Sequence, residues 1–189
     1  MPATASSASS ARKKGRSDGR AAGPRREDRP LNLPRFLSLV GAIVVVDAFT
    51  KMLAVERLSS AYMPHPVLGE VVRLTLVYNP GAAFGLHLGP WSRWIFMALT
   101  LVALVVLWRI YRASRPGERT KVVAVAMVAA GAMGNLVDRL RSERGVVDFL
   151  DVGVGAWRWP TFNVADIAVS CGAVLLAIVL WREDNAPRG

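Results

Sequence analysis

The sequence predicts an all-α integral membrane protein with four transmembrane helices and a small sheet outside the membrane. Of its 189 residues, 52% are hydrophobic, and most of these fall into four runs that approach the ~20 residues needed to cross a bilayer. The runs cover residues 36–55, 91–108, 122–137 and 164–181. The third run is short and the first contains Asp47 and Lys51, but helices of ~17 residues still span, and polar side chains can face the interior of a bundle.

The basic residues predict how the helices are oriented. Residues 1–35 contain nine Lys or Arg against three acids, and residues 109–121 contain five against one. Because short basic segments next to membrane spans stay in the cytoplasm, both termini and the 109–121 loop are predicted to be cytoplasmic. The segments 56–90 and 138–163 then face outward; they are also basic, so the bias is moderate.

Three regions follow from this topology. Residues 1–33 are predicted to form a disordered basic cytoplasmic tail, since a stretch rich in Ala, Ser, Gly and Arg cannot build a core. No aromatic residues alternate with its charges, which favours contact with anionic lipid over nucleic acid. The membrane domain covers residues 34–183, including the extracytoplasmic segment 56–90, and residues 184–189 form a short cytoplasmic tail. The first apolar run is too long for a secretory signal peptide.

The elements can be predicted in chain order. The first helix begins after Pro34 and ends near residue 55. The stretch "VVRLTLVYN" (71–79) is rich in β-branched residues and predicts a strand, and "NPGAAFG" (79–85) contains the Pro and Gly residues typical of a turn. The stretch "RASRPGER" (112–119) predicts a cytoplasmic turn. Small residues in the third helix, such as Gly131, predict close packing on a neighbouring helix.

Five aspartates are predicted at the outward ends of the helices. They are Asp47, Asp138, Asp148, Asp151 and Asp166. The connection between the third and fourth helices can return Asp148 over Asp166. Two carboxylates that lie close together in a low-dielectric pocket share one proton, so one can take a proton from water while the other donates one to a carbonyl oxygen. This is the arrangement of an aspartic protease.

Structural alternatives exist for each polar candidate. Asn163 and Asp166 can cap the fourth helix, and from depth alone this reading is as strong as the catalytic one. Asp47 and Lys51, four residues apart on one helix face, favour a structural ion pair. Asp138 and Arg139 are expected to pair with each other or with neighbouring side chains, and Asn79, Asn135 and Asn163 are expected to supply hydrogen bonds.

Two arginines and the single cysteine have structural expectations. Arg144 and Arg158 are expected to contact solvent or lipid headgroups, and Cys171 is expected to pack in the core.

Five motifs in order resemble the bacterial lipoprotein signal peptidase family, signal peptidase II. They are "DAFTK" (47–51), "NPGAAFG" (79–85), "GAMGNLVDRL" (131–140), "GVVDF" (145–149) and "FNVAD" (162–166). The resemblance spans residues 36–182. It implies a four-helix membrane aspartyl endopeptidase with an extracytoplasmic β-cradle, placed in the bacterial inner membrane with its active site near the outer face. Enzymes of this family cut prolipoproteins before a cysteine that carries diacylglycerol.

The resemblance also implies roles for individual residues. Asp148 and Asp166 match the catalytic pair. The family's supporting residues correspond in this sequence to Asn79, Gly81, Asn135, Asp138, Arg139, Asn163, Asp47 and Lys51. No metal or organic cofactor is expected, and the expected partners are lipidated prolipoproteins and membrane lipids, with the enzyme acting as a monomer. The family more often has Gln where Ala48 stands, and Asp151 is an extra acid beside the pair.

A small transporter or proton relay is the rival interpretation, because it too uses interior aspartates. A relay needs ionisable groups across the membrane midplane, whereas the second to fourth helices are uncharged in their middles. A metal-dependent lipid-headgroup transferase would need several acids closely spaced on one helix, and no helix supplies them.

Overall fold

The computed structural model describes residues 33–58, 62–83, 86–87 and 89–185. Within them lie four long helices: α1 (Leu33–Arg57), α2 (Ser92–Ala113), α3 (Arg119–Arg141) and α4 (Val164–Asp184). By length and composition all four can cross a membrane, which confirms the predicted spans. Apart from residue 33, the predicted tail 1–33 lies outside the described residues, as do residues 186–189.

The strands are β1 (Pro64–Leu68), β2 (Val72–Asn79), β3 (Ala82–Ala83), β4 (Leu86–His87), β5 (Val146–Val154) and β6 (Trp157–Arg158). An antiparallel sheet has the order β1-β2-β5-β6, and β3 pairs with β4 in a separate hairpin. Strand β2 confirms the prediction for "VVRLTLVYN". Strands β5 and β6 were not predicted, because the 138–163 segment was interpreted as a polar connection. These two strands form half of the main sheet.

Helix α3 lies at the centre of the bundle and packs against α1, α2 and α4. A side chain at Gly131 would collide with the carbonyl of Ala165 in α4, so the helices approach at backbone contact, as the small residues predicted. Helices α1 and α2 are in contact through Phe36 of α1, which stacks on Tyr111 of α2. Cys171 is exposed on the outer face of α4, so the prediction that it packs in the core was wrong.

The sheet rests on one end of the bundle. Leu76 of β2 and Phe149 of β5 pack with Ala54 and Leu58 at the end of α1. Between Leu74 and Val77, β2 carries one more residue than β5, and such a bulge bends the strand. This docking places β5 beside the start of α4.

Candidate active site

Strand β5 and the first turn of α4 carry the two candidate aspartates. Asp148 lies opposite Val77 in the sheet and is only 3% exposed. The chain leaves β5, turns, and returns so that Phe162 bridges to Leu150, which starts α4 directly beside β5. Asp148 and Asp166 therefore line one cavity of about 340 Å³.

Asn163 contacts both carboxylates and is completely buried. Its side-chain Nδ2 donates to Asp148 Oδ1 at 2.7 Å, and its backbone N–H donates to Asp166 Oδ2 at 3.2 Å. Its Oδ1 accepts the backbone N–H of Asp166 at 2.9 Å, completing a capping box at the start of α4. The predicted cap is confirmed, and the same residue donates a hydrogen bond to each of the two carboxylates.

Asn79 holds the second oxygen of Asp148. Its Nδ2 donates to Asp148 Oδ2 at 3.2 Å, and its Oδ1 accepts the backbone N–H of Gly81 at 3.1 Å, which fixes the orientation of the amide. Gly81 has φ +123°, and a Cβ there would press against Ser92. This position therefore needs glycine for both conformation and space.

Lys51 is the centre of a buried polar cluster between α1 and α3. Its Nζ lies 2.8 Å from Asp47 Oδ2 and 2.8 Å from Asp138 Oδ2. It also donates to Asn135 Oδ1 at 2.9 Å. Because the ammonium takes the amide oxygen of Asn135, the amide nitrogen is turned to Asp166 Oδ1, to which it donates at 2.8 Å. The predicted Asp47–Lys51 ion pair is confirmed.

The two carboxylates bound by Lys51 also hold the backbone next to each candidate aspartate. Asp47 Oδ1 accepts the N–H of Ala165 at 2.8 Å. Asp138 Oδ2 accepts the N–H of Val147 at 3.3 Å. The residues that immediately precede Asp166 and Asp148 are thus linked through Asp47 and Asp138 to one buried ammonium. Nothing in the local sequence indicates these backbone contacts.

Arg139 lines the same cavity as the two aspartates. Its Nη1 donates to the carbonyl of Asn135 at 3.2 Å, and the guanidinium lies over the ring of Phe96. Its neighbour Asp138 is paired with Lys51 instead, so of the two predicted pairings for Asp138 the structure shows the one with a neighbouring helix.

The environment of Asp148 favours its protonated form. Burial, and then the negative charge of Asp166, raise the pKa of Asp148 to about 7, against the opposing effects of the Asn79 and Asn163 donors and of Lys51. The carboxyl group therefore changes its protonation state near neutral pH.

Asp151 is separate from this cavity. Its side chain accepts from Arg158 Nε at 2.7 Å, Arg73 Nη2 at 2.8 Å and Thr75 Oγ1 at 3.0 Å. Although burial acts in the opposite direction, these hydrogen bonds hold the pKa of Asp151 below its ordinary value. The prediction that Arg158 lies in solvent or lipid headgroups was wrong, because Asp151 binds it.

Sequence comparison identifies the family. The model of signal peptidase (SPase) II matches residues 39–182. The chain belongs to the signal peptidase II family. The lipoprotein signal peptidase of Nitratidesulfovibrio vulgaris (strain DP4) is 40% identical over 156 residues, 81% of this chain and 93% of that protein. That of Burkholderia mallei (strain SAVP1) is 39% identical over 160 residues, 83% of this chain and 92% of that protein.

Solved structures have the same fold as this signal peptidase II family member. One bacterial membrane enzyme superposes with a TM-score of 0.75 at 23% identity, over 85% of this chain and 96% of that one. A second has a TM-score of 0.71 at 25% identity, over 82% and 96%. Together with the four apolar helices, these findings show a multi-pass membrane protein of a peptidase family.

Several residues that line the cavity of this signal peptidase II family member were not predicted from the sequence. Trp159, Phe162 and Ser170 surround the aspartates together with the predicted residues. They flank the "FNVAD" motif, so their position near the site had a signal, but their side chains carry no chemistry that singles them out.

Proposed function

We propose that this protein is an aspartic endopeptidase that removes the signal peptide from diacylglyceryl-modified prolipoproteins, cutting before the lipidated cysteine. The observation that carries the proposal is the contact of one buried residue, Asn163, with both Asp148 and Asp166 on a shared cavity. The relatives named lipoprotein signal peptidase support the substrate class.

The two carboxylates divide the acid and base roles. Asp148 holds the shared proton, because burial and its neighbour raise its pKa to about 7. Asp166 is the base, with its oxygens oriented by Asn135 and Asn163. Each carboxylate oxygen of Asp166 accepts one of these hydrogen bonds and keeps a further lone pair for water or substrate.

The reaction uses these two groups alone. Asp166 takes a proton from water as the water oxygen adds to the scissile carbonyl carbon, and Asp148 gives its proton to the carbonyl oxygen. The resulting tetrahedral diol collapses as its C–N bond breaks. Asp166 passes the proton it took from water to the leaving nitrogen, and a diol hydroxyl returns a proton to Asp148. The signal peptide leaves with a new carboxyl terminus, the lipidated cysteine leaves as an amine, and both aspartates regain their starting states.

We place the site at the extracytoplasmic face of the inner membrane, with both termini in the cytoplasm. Arg139 in the last turn of α3 and Asp166 in the first turn of α4 both line the cavity, so the cavity lies at one end of the bundle. The basic 109–121 segment lies at the opposite end, between α2 and α3, and basic loops favour the cytoplasm. We also propose that the enzyme acts as a monomer, because a single chain already brings Asp148 and Asp166 together with the side chains that orient them, Asn79, Asn135 and Asn163.

The test is cleavage of a purified prolipoprotein by the purified protein in nanodiscs, with and without diacylglyceryl modification. We expect only the modified precursor to be cut, and mass spectrometry of the product to give diacylglyceryl-cysteine as the new N-terminus. An intact modified precursor, or cleavage elsewhere in the chain, would contradict the proposal. Proton flux through liposomes containing the protein would support the relay interpretation instead.

A further inference from the structure

An apolar groove runs along the outer side of α4, next to the cavity that contains the aspartates. Its volume is about 510 Å³. Val152, Phe162, Ile167 and Cys171 contribute apolar walls, and polar side chains enter its lining at Asp166 and Ser170.

The groove is continuous with the candidate active site. Trp159, Phe162, Asp166 and Ser170 line both the groove and the cavity. An apolar group attached close to a bond held beside Asp166 can therefore enter the groove directly. Its attachment point would lie beside Asp166, and its apolar part would lie against Ile167 and Cys171.

The groove is open on the side where α4 faces away from the bundle. Ile167, Ser170 and Cys171 are exposed, whereas Ala168 and Gly172 on the opposite side of the helix are buried. In a membrane, this exposed face of an apolar helix contacts lipid. A chain that begins at the cavity can run through the groove and end in the bilayer.

The size of the groove fits a narrow chain better than a helix. Its residues on α4 extend from Asp166 to Cys171, which at 1.5 Å per residue is roughly 7.5 Å of helix. An apolar signal-peptide helix that crosses the ~30 Å hydrocarbon core would need a trough along most of its length. A flexible chain needs only a short groove beside the site.

We propose that this groove binds one acyl chain of the diacylglyceryl group on the substrate cysteine. The inference rests on the proposed function and adds to it the residues that recognise the lipid. The scissile bond precedes the modified cysteine, so an acyl chain seated between Ile167 and Trp159 would hold that bond beside Asp166. Lipid modification would then position the substrate as well as anchor it.

The first test fills the groove with a larger side chain. Ile167→Trp is compared with Ile178→Trp, since Ile167 and Ile178 are 42% and 41% exposed on the same helix but Ile178 lies away from the groove. Because the larger side chain occupies the space proposed for the acyl chain, Ile167→Trp is expected to raise KM for a dipalmitoyl precursor at least about fivefold, with kcat unchanged. The effect should be smaller for a dibutyryl precursor. Ile178→Trp should match the wild type.

Equal kinetics of the two tryptophan variants on both precursors would overturn the groove assignment while leaving the proposed function intact. Failure of the wild type to cut the dipalmitoyl precursor would instead overturn the proposed function. The two failures are therefore distinguishable within one set of assays.

The second test locates the chain without relying on turnover. In the Asp148→Asn variant, a precursor with a photoactivatable diazirine in one acyl chain is expected to label the peptide containing Ile167 and Cys171. Excess unlabelled modified precursor should compete this labelling away. Equal labelling by a free diazirine phospholipid, or labelling of this peptide by a diazirine in the signal-peptide helix, would contradict the proposal.

Discussion

Asn163 donates its amide N–H to Asp148 at 2.7 Å from the position that caps α4, three residues before Asp166. The start of a transmembrane helix and the spacing of two carboxylates are thus determined by one buried side chain. Cap formation and carboxylate positioning, which compete as interpretations of the sequence, are combined in this residue.

Substitution of Asn163 separates its two contributions. Ser is as good an N-cap as Asn, but its hydroxyl is too short to replace the amide that reaches Asp148. Both Asn163→Ser and Asn163→Ala lose the buried amide and should be less stable than the wild type, but Asn163→Ser keeps the cap and should be more stable than Asn163→Ala by about 1 kcal/mol. Both should lower kcat/KM about 100-fold, in line with the loss of an orienting active-site donor. Wild-type kcat/KM in Asn163→Ser would contradict the positioning role.

The pH dependence of cleavage follows from the state of Asp148. Since its pKa is raised to about 7, the carboxyl holds the shared proton below that pH and loses it above. We expect kcat/KM to fall as pH rises through about 7, and to show this limb in a pH series from 5 to 9. A profile that is flat across neutrality would show that proton loss from Asp148 does not limit the reaction.

The titration of Asp148 should also make the stability of the fold depend on pH. A carboxyl whose folded pKa lies above its unfolded value stabilises the fold fully below the unfolded pKa, and this contribution is lost as pH rises through about 7. Asp148→Asn cannot ionise, so its thermal midpoint should rise relative to the wild type between pH 5 and pH 8. A constant difference between the two proteins over that interval would contradict the burial account of Asp148.

Lys51 should be far more important for stability than a peripheral lysine. Lys51→Met leaves Asp47 and Asp138 buried without their cation, and breaking a buried pair in this way costs about 3–5 kcal/mol. Lys121→Met is the control: Lys121 pairs with the partly exposed Glu183, and such pairs contribute about 0–1 kcal/mol. Chemical denaturation of both variants in detergent measures the difference. Equal losses would contradict the central role of the Lys51 cluster.

Gly145 should tolerate no side chain. It has φ +97°, and a Cβ there would collide with the backbone of Asn79, the residue that orients Asp148. Gly155 also has a positive φ, +55°, but has open space around it. We expect Gly155→Ala to cost about 1 kcal/mol from conformation alone, and Gly145→Ala to cost more and to reduce cleavage. Similar thermal midpoints and activities in the two variants would argue against this tight contact between β2 and β5.

The sequence predicted the elements that follow simple periodic rules. The four spans, strand β2, the cap at Asn163 and the Asp47–Lys51 pair all depend on composition or on residues near in sequence. Strand β5 was missed because Asp148 and Asp151, on opposite faces, make it look like a polar connection. Only the folded sheet shows that one of these acids faces the cavity and the other binds Arg73 and Arg158.

The rest of the site depends on contacts between distant segments. Asp47 binds the backbone of Ala165, 118 residues away, and nothing in either local sequence indicates that contact. The turn of Asn135 toward Asp166 likewise depends on Lys51 from another helix. Such relationships arise from helix packing, which composition and spacing do not specify.

The most direct test of the central claim is cleavage of a diacylglyceryl-modified prolipoprotein in nanodiscs by four proteins. They are the wild type, Asp148→Asn, Asp166→Asn and the control Asp151→Asn, which changes the same strand three residues on but outside the cavity. With folding verified by thermal midpoints, we expect Asp151→Asn to cut at a rate near the wild type. Each of the other two variants should lose at least about 1,000-fold in kcat, as removal of a general acid or base does. Wild-type turnover by a folded Asp148→Asn or Asp166→Asn variant would contradict the account.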